Sequence, residues 1–208
     1  MNGINYCKVS LVEYSALYQK YEALLKTLKE IIAQSQERVL SEEPDKIFSD
    51  NVNFFVKSYL INICTYLEAY LQDIAFEYSR RVSERLKQAK IPHNFLYGKL
   101  AKDIKEKELE YVDASYKYSK KELSDIISGN PYKTISAFRL IGIDLGSSEK
   151  FVEHKNLVGT IVNKRNYIIH HNDEASDISF ADLLVHIDVF LEYMLSIEKL
   201  LSASDENT

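Results

Sequence analysis

Apolar positions recur three and four residues apart along most of the chain, the spacing of one face of an α-helix. Leu17, Tyr21, Leu24, Leu25, Leu28, Ile31 and Ile32 predict a first helix over residues 10–40, with Ser10 placed to cap it. The run Ser41-Glu42-Glu43-Pro44-Asp45 breaks that pattern, and Asp50 is expected to cap the next helix. From Asn51 to Lys90 the stripe Val56, Leu60, Ile63, Leu67, Leu71, Ile74, Tyr78, Val82 and Leu86 predicts a helix long enough to protrude, bend or pair with another chain. Its far end carries Arg80, Arg81, Arg85 and Lys87, expected to form a solvated end offset by Glu77 and Glu84. Ile91-Pro92 stops the element.

Within residues 93–128, the segment Lys99–Lys121 alternates charge signs and carries Tyr111, Tyr116 and Tyr118, which predicts a solvated helical insertion. Gly129-Asn130-Pro131 is a turn, with Pro131 suited to the first turn of a short helix reaching Ile141. A loop over Gly142–Gly146 leads to Ser147 or Ser148, either of which caps a helix running to His171. An acidic loop, Asn172 to Asp177, precedes Ser179, which caps a last helix built on Leu183, Leu184, Ile187, Phe190, Leu191, Met194, Leu195 and Ile197. Ser202 to Thr208 reads as a frayed end, with residues 203–208 a disordered tail. These elements predict an all-α helical bundle, one domain over residues 1–202 with its core at about 50–200.

The helix ending at His171 contains the least expected residue of the chain. At about 100° per residue, Val158, Ile161, Val162, Ile168 and Ile169 cluster around Arg165, so an arginine sits in the middle of an apolar stripe. Burying that charge is costly unless it is paired or lies at an interface. Asn166 and His170, four residues apart, share one flank of the stripe.

The spacing Arg165-Asn166-x-x-x-His170 resembles the R-x(4–6)-H signature of HEPN domains, including the polar residue that commonly follows the arginine. Tyr66-Leu67-Glu68-Ala69-Tyr70-Leu71 is similar to the LExxL-type segment of an early HEPN helix. The resemblance implies a HEPN-like bundle of long antiparallel helices that pairs into a homodimer. It also implies a metal-independent endoribonuclease, of the kind found in toxin–antitoxin and defence systems. In that family two copies of the arginine and histidine meet across the dimer two-fold. Arg165, Asn166 and His170 would then be catalytic, and Glu68, Lys164 and His171 auxiliary. HEPN toxins paired with nucleotidyltransferase antitoxins often carry a tyrosine two residues after the histidine, which is AMPylated; Asn172 stands there, which argues against that control.

Composition narrows the alternatives. Cys7 and Cys64 are too few and too far apart for a disulfide framework or a zinc site, and no His-Glu-x-x-His, Cys-x-x-Cys or glycine-rich phosphate loop occurs. Neither a cofactor nor a metal is therefore expected. No run reaches membrane-spanning length and no signal pattern opens the chain, so a cytoplasmic protein without membrane contact is expected. A net charge of -5 argues against a general nucleic-acid coat protein. Between Ser147 and His171, however, Lys150, Lys155, Lys164 and Arg165 outnumber Glu149 and Glu153, and three histidines join them. Contact with an RNA substrate should be local and salt-sensitive. An antitoxin or other regulatory protein is a candidate partner.

The residue types fit RNA cleavage without metal. That reaction needs a base for the ribose 2′-OH, an acid for the leaving 5′-oxygen and a cation for the phosphorane; histidine and arginine supply them. Plainer roles exist for each. Arg165 could simply pair with a buried acid, Glu68 by resemblance, and His170 could favour a helix C-terminus as a cation. His154, about three turns from Arg165, suits packing, while His93 and His186 carry no pattern. The alternative function is a HEPN-like dimerisation or RNA-binding module without turnover.

Overall fold

The computed structural model describes residues 13–89, 118–171 and 175–206. The tyrosine- and leucine-rich stripe of the first segment forms α1 (Tyr14–Leu40), which buries Tyr21, Leu25, Leu28 and Ile32. The expected cap at Ser10 lies outside the described residues. After the break at Ser41–Asp45 comes a single turn, α2 (Lys46–Ser49), whose cap is Asp45: its carboxylate accepts from the Ile47 backbone N–H at 3.0 Å. Contrary to expectation, Asp50 therefore does not cap the long helix; it closes α2, and α3 (Val52–Gln88) begins after Asn51.

The 37 residues of α3 form the spine of the molecule. Buried positions recur from Val56 to Ser83, and α1, α4 (Lys120–Ile126), α6 (Glu149–His171) and α7 (Phe180–Glu206) all pack on it. Between Val56 and Ser83 one side of it is buried by its own chain. Paired contacts give the helix directions. Tyr21 with Asp73 and Ser35 with Tyr59 run α1 antiparallel to α3, while Tyr59 with Phe180 and Tyr70 with Met194 run α7 parallel to it. Tyr70 is wholly buried and donates its hydroxyl to the Met194 carbonyl at 2.8 Å, which satisfies the phenol inside the core.

Of the 93–128 segment, only residues 118–128 are described. They form α4, closed by a reciprocal Ser119–Glu122 capping box and held on α3 by Lys120–Asp73 at 3.0 Å. Asn130 caps α5 (Pro131–Leu140), with Pro131 in its first turn as its fixed φ favours. Gly142, at φ 94°, turns the chain toward a 3-10 turn (Leu145–Ser147), and the Ser148 hydroxyl accepts from Phe151 N–H at the start of α6. Ser179 caps α7 by accepting from Asp182 N–H at 3.1 Å. The described residues thus form seven α-helices and a 3-10 turn without a strand, an all-α bundle. Among them no helix is long and apolar enough to cross a membrane.

Two expectations about the chain's ends need correction. Residues 203–206 are not a disordered tail; α7 continues through Glu206. Nor is the basic end of α3 merely solvated. Glu77, buried, pairs with Arg80 and Arg81 as foreseen, but Asp205 of α7 also takes Arg81 at 3.1 Å, Arg85 at 2.8 Å and the Tyr14 hydroxyl at 3.0 Å. The Arg81 guanidinium lies over the Tyr14 ring, 4.2 Å from its centroid. One carboxylate thus ties α1, α3 and α7 together, and the tail is ordered because it has a partner 120 residues away.

Asp205→Ala should therefore destabilise the fold. Arg81 and Asp205 are 15% and 16% exposed, so the loss falls below that of a fully buried pair, at about 2–3 kcal/mol. Thermal unfolding should shift down by about 5–10 °C. An unchanged melting temperature would mean that the last turn contributes nothing.

Candidate active site

Helix α6 buries Phe151, Val158, Ile161, Val162 and Ile168 against the bundle, and that face carries Arg165 inward. Its side chain is 16% exposed. The physical requirement for a cation there is a partner, and α3 supplies it. In Tyr66–Leu71, Leu67, Tyr70 and Leu71 are fully buried, while Glu68 is left on the flank facing α6. Glu68 Oε2 accepts from Arg165 Nη2 at 2.7 Å, and the Asn166 side-chain carbonyl accepts from Nη1 at 3.2 Å.

Cys64, one turn before Glu68 on α3, lies beside the same guanidinium. Burial pushes its thiol up to about 12, against the lowering effect of the arginine, so it stays neutral. Glu68 is thus the anionic partner. Arg165 Nε is buried without a hydrogen-bond partner among the described residues, whereas Nη1 and Nη2 each commit one donor and keep another.

His170 is placed differently. Five residues beyond Arg165 is about 140° around the helix, and the imidazole is exposed. Among the described residues it makes no hydrogen bond to Arg165 or Asn166. Asn166 spends its side-chain carbonyl on the guanidinium and keeps its amide N–H groups. The chain therefore joins Arg165, Asn166 and Glu68, and leaves His170 on the adjacent outer face.

The auxiliary positions separate as well. His171 is exposed, with its ring 5.8 Å from that of Tyr167. Lys164 forms an ion pair with Asp177 at 2.8 Å. His154 has the packing role expected of it, 13% exposed and bonded through Nε2 to Glu192 at 2.9 Å. His186 has a buried Nδ1 without a hydrogen-bond partner among the described residues, and burial lowers its pKa against the pull of Asp182. His93 lies outside the described residues. Among those described, no three His, Cys, Asp or Glu side chains gather as a metal-binding group.

With this geometry in view, comparison with known families is decisive: a family model described as RiboL-PSP-HEPN matches residues 18–203. The chain belongs to the HEPN family. The match takes in both Glu68 on α3 and the Arg165–His170 motif on α6, and HEPN domains include many ribonucleases and RNA-related modules. No curated protein and no solved structure shows significant similarity to the chain. Neither Cys64 nor Tyr167 was expected at this HEPN site. Cys64 beside Arg165 depends on the register of α3 against α6, which no local pattern encodes. Tyr167, 57% exposed inside the motif, was legible as an aromatic on the polar flank of the helix.

Proposed function

We propose that this HEPN protein is a metal-independent endoribonuclease, acting as a toxin or defence RNase, with a composite Arg/Asn/His site at a homodimer interface. The observation that carries the reading is the division of labour within the motif. Arg165 is inward, oriented by Glu68 and Asn166, with donors to spare; His170 is exposed and bonded to neither. A guanidinium so held presents a fork for two phosphate oxygens. An imidazole so placed is free to exchange protons with a substrate.

One histidine cannot serve simultaneously as base and acid on opposite sides of a phosphorus. Two chains meeting at a two-fold supply two. One His170 takes the proton of the ribose 2′-OH, whose oxygen attacks phosphorus. The other gives a proton to the departing 5′-oxygen, and the products are a 2′,3′-cyclic phosphate and a 5′-hydroxyl. Arg165 stabilises the phosphorane charge. Support for the pairing surface comes from α3, where Phe54, Ser58, Ile61, Thr65 and Glu68 follow alternating steps of four and three, the period of a helix seam. Phe54 is 65% exposed on that seam, and Ile169 of α6 is 47% exposed. An antitoxin or other regulatory protein would act by covering this site. A histidine sealed in the core would support the alternative, a module without turnover; His170 is exposed.

Sedimentation at roughly tens of micromolar tests the pairing, a range in which a specific interface of standard size persists. A dimer is expected. A monomer would remove the second histidine and with it the composite site.

A further inference from the structure

Acidic residues are unevenly placed on a chain that carries 31 of them. Between Asp125 and Asp144, and again from Glu153 to the end of α6, there is no Asp or Glu, while Lys133, Arg139, Lys155, Lys164 and Arg165 all fall there. These two stretches contain α5 and most of α6, and they touch. A Cβ on Gly159 of α6 would lie 3.8 Å from the Pro131 ring of α5, and one on Gly129 would lie 3.3 Å from Val162. The missing side chains bring the start of α5 close over α6.

That approach sets Tyr132 on the surface, 60% exposed, with the Lys155 ammonium 5.4 Å from its ring centroid and Asn156 accepting from its hydroxyl at 3.5 Å. From Asn156 the same side of α6 continues in steps of three and four through Asn163 and Asn166 to His170, with Tyr167 beside it. Asn156, Asn163 and His170 are exposed. The path is about 20 Å long at 1.5 Å per residue. It offers aromatic planes at both ends, side-chain amides between them, a lysine, and no carboxylate along the helix to repel phosphate. Stacking planes and amides are what unpaired bases need, since every base has a π-face and an edge that bonds to amides.

We propose that this α5–α6 face is a track for single-stranded RNA, which stacks bases on Tyr132 and Tyr167 and delivers the adjoining phosphodiester to His170. The inference rests on the reading of that motif as an RNA site and adds the substrate class, an unpaired strand extending from the motif toward α5. Asn156, Asn163 and His170 lie on the side of α6 away from the Arg165–Glu68 pair, and Asn166, whose carbonyl accepts from the guanidinium, borders that pair.

The test uses the full-length protein, a labelled unstructured oligoribonucleotide of about ten nucleotides, and a blunt RNA duplex. Tyr132→Ala should weaken binding of the single strand about tenfold. Lys155→Gln should reduce the slope of log affinity against log salt by about one. Asn163→Asp, at an exposed position that leaves the core intact, should weaken binding even if the tyrosine variant misfolds. The duplex should bind more weakly than the single strand, and the advantage of the oligonucleotide over a dinucleotide in kcat/KM should shrink in Tyr132→Ala. Folded Tyr132→Ala and Asn163→Asp proteins that bind the strand like wild type would overturn the track, as would a duplex bound equally well. Cleavage that ignores these residues would do so too while leaving the nuclease reading standing. Binding that depends on them without any cleavage would keep the track and sink the nuclease. A wild-type protein with no affinity for the strand at low salt would overturn the proposal in favour of a protein partner.

Discussion

Arg165→Ala is expected to reduce RNA cleavage by roughly 10²–10³, the cost of losing a pre-positioned cation at the charge that develops in the transition state. The effect should be mainly on the chemical step, because Glu68 and Asn166 fix the guanidinium before substrate arrives. Stability will change as well. Without its partner the half-buried Glu68 carboxylate, 32% exposed, is left poorly solvated, at a cost on the order of 1 kcal/mol. The two effects can be separated. Adding Glu68→Gln to Arg165→Ala removes the stranded charge and should recover stability without recovering activity. Arg165→Lys keeps the charge but loses the fork, so it should remain well below wild type. An arginine whose role was only to pair with Glu68 would give the opposite pattern, with activity tracking stability throughout.

His170→Ala should cost a comparable amount, roughly 10²–10⁴ in rate, but with almost no change in melting temperature. The imidazole is exposed and hydrogen-bonded to no described residue, so little of the fold depends on it. His171→Ala is the internal control. It removes a similar exposed ring one residue away, in contact with Tyr167 on another side of the helix, and should be several-fold at most. Mixing Arg165→Ala and His170→Ala chains then asks whether both histidines are needed. A heterodimer keeps one arginine and one histidine on opposite chains and, with base and acid drawn from two histidines, should stay far below wild type, whereas activity restored close to wild type would mean that one histidine suffices; equal loss in His170→Ala and His171→Ala would instead point to a nonspecific effect at the helix end.

The bundle was legible because burial follows helical periodicity. Leu25, Ile32, Leu60, Leu67, Ile74, Leu183 and Ile187 are all fully buried and all lie on stripes visible in the sequence. A cap was legible where one residue type sufficed, as at Ser179, and misread at Asp50, because Asp45 begins a four-residue turn that carries no apolar period. The order of the last turn was hidden for a different reason. Asp205 is stabilised by Tyr14, Arg81 and Arg85, and an ion cluster across three helices leaves no mark in the local pattern. At the site, the mid-stripe position of Arg165 signalled that a buried cation needed a partner, and resemblance to HEPN domains named Glu68, which the structure places at 2.7 Å. The separate direction of His170 comes from five-residue spacing alone. Cys64, Asp177 and the crossing of α5 over Gly159 depend on how helices meet, so only the assembled fold displays them.

The most direct measurement is incubation of the purified, folded wild-type protein with a varied set of RNAs in EDTA, beside Arg165→Ala, with identification of the ends produced. Cleavage by wild type that persists in chelator, leaves 2′,3′-cyclic phosphates and falls steeply in the variant is the predicted result. RNAs left intact by the wild-type protein, or cut as fast by Arg165→Ala, would contradict it.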